Sequence, residues 1–209
     1  MKLFSYTVIL QLHCCLSDKM SLFRSVSHWL RSQSDLTHNG LLVAATSAAI
    51  PAVMSLKAPC TTFVNLASVS VMFGTQNWVS WVAGPTMFLN MERSAFGDLQ
   101  ARLFPKMGMV TWSMSSLALA SYLVNHSWDI SATLLSSSLA LNLLNSFLLF
   151  PVTTKFQYKI RECEEGTPEK ASARKMFGML HGVSVLVNLG SIMANTAYLY
   201  ILASSINHF

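Results

Sequence analysis

His181, Asn188 and Asn195 stand seven residues apart in FGMLHGVSVLVNLGSIMANTAYLYILA, residues 177–203, a stretch without Lys, Arg, Asp or Glu. An imidazole can carry a proton or ligate a metal. Carboxamides can hold a polar solute or hydrogen-bond one apolar helix to another. Seven residues make almost two helical turns, so the three side chains share one stripe. Ser184, Ser191 and Tyr198 each follow by three and join it, making one polar seam of His, Ser, Asn, Ser, Asn and Tyr. Unpaired polar groups in hydrocarbon are costly, so this seam must face other helices or water. Asn142 and Asn145, with Ser131 and Ser138, repeat at helical spacing within residues 130–150, and Asn65, Ser68, Gln76 and Asn77 do so within 62–89. Two readings follow for the set His181, Ser184, Asn188, Ser191, Asn195, Asn142, Asn145 and Gln76. It either ties helices together or lines a polar path with His181 as its titratable member.

Other chemistries have less to stand on. Cys14, Cys15, Cys60 and Cys163 form no C-x-x-C pair, which argues against a zinc site or a disulfide framework. Met107, Met109 and Met114, and Met87 with Met91, carry soft thioethers, but methionine in an apolar helix is ordinarily packing. Glu162, Glu164, Glu165 and Glu169 lie among Lys and Arg and read as a solvated face with local ion pairs. Asp129 precedes Ile130 as a helix N-cap would. Trp78, Trp81 and Trp112 fit either interfacial anchors or core. There is no nucleophile motif, no phosphate-cradling glycine loop and no carboxylate pair inside an apolar segment. The expectation is a protein that is not an enzyme and uses no cofactor or metal.

The elements that position the seam follow from where charge is missing. No formal charge occurs between Lys57 and Glu92, from Met107 to Asn125, from Ile130 to Phe150, or from Met176 to Asn207. A hydrocarbon core about 30 Å thick takes roughly 20 apolar residues in a helix. These runs predict transmembrane helices near 62–89, 107–125, 130–150 and 177–203. Hydrophobic residues make up 52% of the chain and charged ones 11%, against about 25% charged in a soluble domain, too few to coat a soluble globule. The fold class expected is an all-α membrane protein, a four-helix transmembrane bundle spanning residues 61–209 behind an N-terminal extension, residues 1–60.

Lysine and arginine concentrate in the loops 90–106 and 151–175 and are absent from the short connection 126–129. The positive-inside bias makes both basic loops cytoplasmic, so the net charge of +5 reflects topology and anionic lipid, with no requirement for nucleic acid. The expected setting is a multi-pass protein of the endomembrane system or plasma membrane, with an organellar membrane as the alternative. Its partners are the lipid bilayer and either a second copy or another membrane protein. In the extension, residues 1–17 resemble a weak signal peptide, residues 20–33 fit an interfacial amphipathic basic helix or an organellar presequence, and residues 40–56 are a short hydrophobic segment interrupted by Pro51. If that segment spans, there are five helices.

FGTQNWVSWVAGPTMFLNMERSAFGDLQARLFP, residues 73–105, resembles the transmembrane protein 205 family. The matching positions are Gly74, Gln76, Trp78 and Val79, then Phe96, Gly97, Gln100, Leu103, Phe104 and Pro105. Asn145 with Pro151, Thr153 and Thr154 resembles the end of that family's third helix. His181, Gly182, Ser184, Asn188, Leu189 and Gly190 resemble the opening of its last helix. The likeness covers roughly residues 62–204, and Asn65 stands where the family often has a histidine. It implies a small polytopic membrane protein, with a family name associated with platinum-drug resistance but no settled molecular activity. The reading is an accessory or partner- and lipid-binding membrane component, the alternative a small-solute or metal-ion carrier using the seam.

Overall fold

The computed structural model describes residues 35–206, so residues 1–17 and 20–33 of the extension lie outside it. All elements among the described residues are helical. Helix α1 spans Asp35–Met54 and contains most of the short hydrophobic segment expected at 40–56. Helix α2 (Cys60–Asn77) continues through a π-helical segment, Trp78–Ala83, into α3 (Gly84–Asn90). Then come α4 (Arg93–Leu123) and α5 (Ile130–Leu144), which continues through a second π-helical segment, Asn145–Leu149, into α6 (Phe150–Glu162). Helix α7 runs from Pro168 to Ile206.

Both π segments have the same local cause. Each ends two residues before a proline, Ala83 before Pro85 and Leu149 before Pro151. A proline inside an α-helix removes one N–H and its ring strikes the carbonyl four residues back. A wider π turn just upstream accommodates that ring, and the Gly84 and Phe150 amides bond five residues back, to Val79 O and Asn145 O. Pro105 lies inside α4 without a π segment.

Helix α2 packs on α4, α4 on α5, α5 on α7, and α7 back on α2, closing a ring of four long rods. Helix α1 lies outside the ring against α4, through Val53 and its neighbours on Val64 and Leu117. The apolar core where the rods meet holds Val69, Ala118, Leu135 and Tyr198. Two rods, Ile130–Glu162 and Pro168–Ser205, are long and apolar enough to cross a membrane by length and composition.

The expected loops are largely helical. Between α3 and α4 only Met91 and Glu92 leave the helix, and between α6 and α7 only residues 163–167. The charged residues of 90–106 and 151–175 therefore ride on extensions of the rods. Arg93, Arg102, Lys106, Lys155 and Lys159 suit a helix end that has left apolar surroundings. Charge alone does not mark a break in the backbone. At the other end Asp129 caps α5, its Oδ1 accepting from the Ala132 amide at 2.9 Å.

Gly178 and Gly182 stand at the G-x-x-x-G spacing that permits close approach of two helices, but the close approach of helix backbones occurs elsewhere. Both glycines are exposed, and a Cβ on either would meet nothing within 4 Å. The tight crossing is between α4 and the α5–α6 rod. There a Cβ on Gly108 would lie 2.7 Å from Ser146 Oγ and 3.3 Å from a Phe150 ring carbon. Phe104 stacks on Phe150 beside it, ring centres 5.2 Å apart.

Candidate functional site

Inside the ring the polar residues meet each other. Gln76, fully buried on α2, is the hub. Its Nε2 lies 3.0 Å from Asn142 Oδ1, 3.0 Å from Ser191 Oγ and 3.2 Å from Asn188 Oδ1, two N–H bonds shared among three acceptors on α5 and α7. Its Oε1 accepts from Asn195 Nδ2 at 3.2 Å. Asn142 Nδ2 reaches across to α4, donating to Ser115 Oγ at 2.8 Å, with Met72 Sδ at 3.5 Å. Ser138 and Ser191 share a hydrogen bond at 2.9 Å. All four rods thus contribute to one network, and its members on α5 and α7 recur at three- and four-residue spacing as an inward face requires.

The π segments extend the network toward the basic end. Ser80, within the first, accepts from Asn188 Nδ2 at 2.9 Å. Asn145 opens the second and pairs twice with Ser184, accepting from its hydroxyl at 2.9 Å and donating to its carbonyl at 3.2 Å. Toward the opposite end Tyr198 donates to Asn65 Oδ1 at 2.5 Å, and Asn65 Nδ2 donates to the Ala118 carbonyl at 2.8 Å. Beyond it, Tyr122 donates to Asp129 Oδ2 at 2.6 Å, and Asn125 donates to Thr61 Oγ1. The Tyr122 hydroxyl and then the Ala132 amide hold the Asp129 carboxyl below the usual carboxylate range.

His181 stands apart. It is half-buried one turn before Ser184, with its ring parallel to that of Phe177 at 5.8 Å, and no hydrogen bond ties it to the network. The stripe therefore divides. Ser184, Ser191, Asn195 and Tyr198 are buried and Asn188 half-buried among partners, while His181 marks where the stripe leaves the core. One acceptor of the network has no partner, Asn195 Oδ1, on a fully buried residue. Met72 and Ser115 escaped sequence reasoning. Methionine carries no polar signal, and a lone serine in a membrane-like helix is ambiguous because it can bond its own backbone. Ser115 does both, donating to the Thr111 carbonyl and accepting from Asn142.

The motif residues fall into different settings. Gln76 is the hub, Gly97 lies beneath the Gln157 and Arg161 side chains, and Gln100 is buried. Phe96 meets Phe88 edge-on at 5.6 Å. Trp78 and Trp81 are exposed on the outer surface, whereas Trp112 is buried. Gly74 and Gly182 are exposed. At the basic end Arg161 pairs with Asp98 and donates to the Ser94 carbonyl, clamping α6 to α4. Lys170 and Arg174 pair with Glu165, and the Lys170 bond leads the effects that hold the Glu165 carboxyl low.

Residues 67–162 match the family described as Domain of unknown function (DUF4149). The matched stretch carries Gln76, Ser115, Ser138, Asn142 and Asn145 of the polar network, begins after Asn65 and stops before α7. No solved structure matches the chain.

Proposed function

We propose that the chain is a multi-pass membrane protein similar to the transmembrane protein 205 family, with rods 60–90, 93–123, 130–162 and 168–206 crossing the bilayer and the basic ends in the cytoplasm. Its polar core ties the helices together, and it acts as an accessory component that offers its outer surface to lipid or to a partner membrane protein. The observation that carries this reading is the reversal of polarity between inside and outside. Gln76, Asn142, Asn145, Ser138, Ser191 and Asn195 are buried, whereas Trp78, Trp81, Leu89, Phe147, Leu186 and Met193 are exposed. Water would favour the opposite arrangement, and hydrocarbon favours this one.

The tie reading draws support from how fully the network satisfies itself. Hydrogen bonds of this kind between membrane helices contribute about 0.6 kcal/mol each on average, so several converging on Gln76 add up to a useful constraint on helix register. A carrier reading has one observation in its favour, the unpartnered Asn195 carbonyl oxygen, where a polar solute could be held. His181, outside the network, does not strengthen it.

The experiment is sided labelling. In a Lys159→Cys variant with the four native cysteines replaced by Ser, in sealed vesicles, an impermeant thiol reagent should react only from the cytosolic face. Reaction from the opposite face would overturn the orientation, and complete extraction of the protein by alkaline carbonate would overturn membrane insertion. For the carrier reading, proteoliposomes should pass a metal ion or small solute, with flux reduced by His181→Ala or Asn195→Leu. Absence of flux across a broad panel would leave the tie reading alone.

A further inference from the structure

We propose that the basic end carries a collar for anionic phospholipid headgroups, formed by Arg102 on α4 with Lys155 and Lys159 on α6. This rests on the membrane reading and names the lipid class that the outer surface selects.

The register between the two helices sets the depth of these cations. Gly97 lies beneath Gln157 and Arg161, Phe104 stacks on Phe150, and Gly108 faces Ser146 and Phe150. The helices are therefore antiparallel, and Arg102 comes level with Lys155. Lys159 lies one turn farther out, about 6 Å at 1.5 Å per residue. All three side chains are exposed. Exposed Leu99 stands one turn from Arg102, and exposed Tyr158, whose ring also lies under the Arg161 guanidinium, adjoins Lys159. A cation beside exposed apolar surface is the arrangement by which Arg and Lys reach from hydrocarbon to headgroups.

Charge at this end is layered by depth. No Asp or Glu occurs from residue 99 to 128, from 130 to 161, or from 170 onward. The acids of this end, Glu92, Asp98, Glu162, Glu164, Glu165 and Glu169, lie farther from the apolar part of the rods than Arg102 and Lys155, with Asp98 level with Lys159. Asp98 and Glu165 already pair with Arg161, Lys170 and Arg174. The layer next to the apolar surface is thus cationic and the layer beyond it is mixed. A soluble acidic protein would meet the mixed outer layer first. Lipid phosphates and carboxylates lie at the level of the cationic layer, which favours an anionic bilayer surface over a protein partner. Because the cations stand on helices clamped by the Arg161 contacts, the collar is held in place before lipid arrives.

The test reconstitutes the full chain in phosphatidylcholine vesicles containing spin-labelled phosphatidylserine or spin-labelled phosphatidylcholine, and measures the motionally restricted lipid fraction. Wild type should prefer phosphatidylserine by at least about fivefold, the effect of a single cation near a membrane surface. Raising salt should weaken the preference. Replacing Arg102, Lys155 and Lys159 together by Gln should lower it severalfold, whereas Lys155→Arg with Lys159→Arg should keep it, separating charge from packing. Equal restriction of the two lipids by inserted wild-type protein would overturn the collar and leave the membrane reading standing. Failure of the protein to float with vesicles would overturn both. Loss of the preference in millimolar inorganic phosphate, but not in chloride of equal ionic strength, would point to a free-phosphate site and overturn the lipid assignment. Binding of a soluble polyglutamate with no lipid preference would assign the surface to an acidic protein.

Discussion

At the residue scale, the hub position of Gln76 is the strongest determinant in the interior. Removing a partner from a buried hydrogen bond leaves the other group unsatisfied, at about 1–3 kcal/mol. Gln76→Leu strands groups on both α5 and α7, because its amide touches Asn142, Asn188, Ser191 and Asn195. Asn188→Leu strands fewer, since Asn188 accepts from Gln76 and donates only to Ser80. Thermal denaturation in detergent should therefore show both variants less stable than wild type, with Gln76→Leu lower than Asn188→Leu. Equal melting temperatures in all three proteins would remove the tie reading. Much of this site was legible as spacing: Ser184, Asn188, Ser191 and Asn195 on α7 and Asn142 and Asn145 on α5 share faces that a helical period exposes. The exclusion of His181 was not legible, because a stripe seven residues long per step says which way a side chain points but not where the neighbouring helix ends its contact. Nor was the part played by Met72 and Ser115, whose side chains gain meaning only from the opposite wall.

At the scale of elements, two glycine settings make opposite predictions. An added methyl at Gly108 meets Ser146 Oγ and Cβ and the Phe150 ring, of which only the hydroxyl can easily turn aside. Gly108→Ala should lower stability by about 1–3 kcal/mol, the range for overpacking a close-fitted contact, read as a fall in melting temperature. Gly182→Ala should instead raise the melting temperature of the isolated chain slightly, since a Cβ there touches nothing within 4 Å and alanine favours a helix interior over glycine by about 0.5–1 kcal/mol. The G-x-x-x-G spacing named a surface able to approach another helix, while the actual crossing used Gly108 because its partner wall, Ser146 and Phe150, lies in the wider π-to-α passage. At the hairpin, Asp129 ties α5 to Tyr122 and has its carboxyl pKa lowered by that bond first. A lowered folded value means its contribution is present above the unfolded pKa and lost as pH falls through the folded one, a window below about pH 4. Asp129→Asn, which still caps, should flatten the acid limb of the stability curve. Asp129→Ala should in addition lose about 1 kcal/mol at neutral pH.

At the scale of the whole molecule, the runs without charge marked where rods must be, and the apolar exterior with its polar interior is consistent with them. The ends of the rods were hidden. Residues 93–106 and 151–162 carry charge, and charge is compatible with a helix once it emerges from apolar surroundings, so composition could not tell helix from loop there. The closure of the ring, α7 returning to α2, was not readable either, because it depends on which face each rod turns to the next. Near-complete helicity at the basic end has a consequence for proteolysis. Backbone must unfold locally to enter a protease, and helices resist this more than turns do. Every lysine and arginine from residue 93 to 175 lies in a helix, Arg93 at its first position, whereas Glu92, Glu164 and Glu165 lie in the two breaks. Brief digestion of folded protein by a glutamate-specific protease should nick at the α6–α7 turn and release a short C-terminal fragment of about 44 residues beginning near Gly166, while trypsin, despite its many nominal sites on the same face, should leave this end whole.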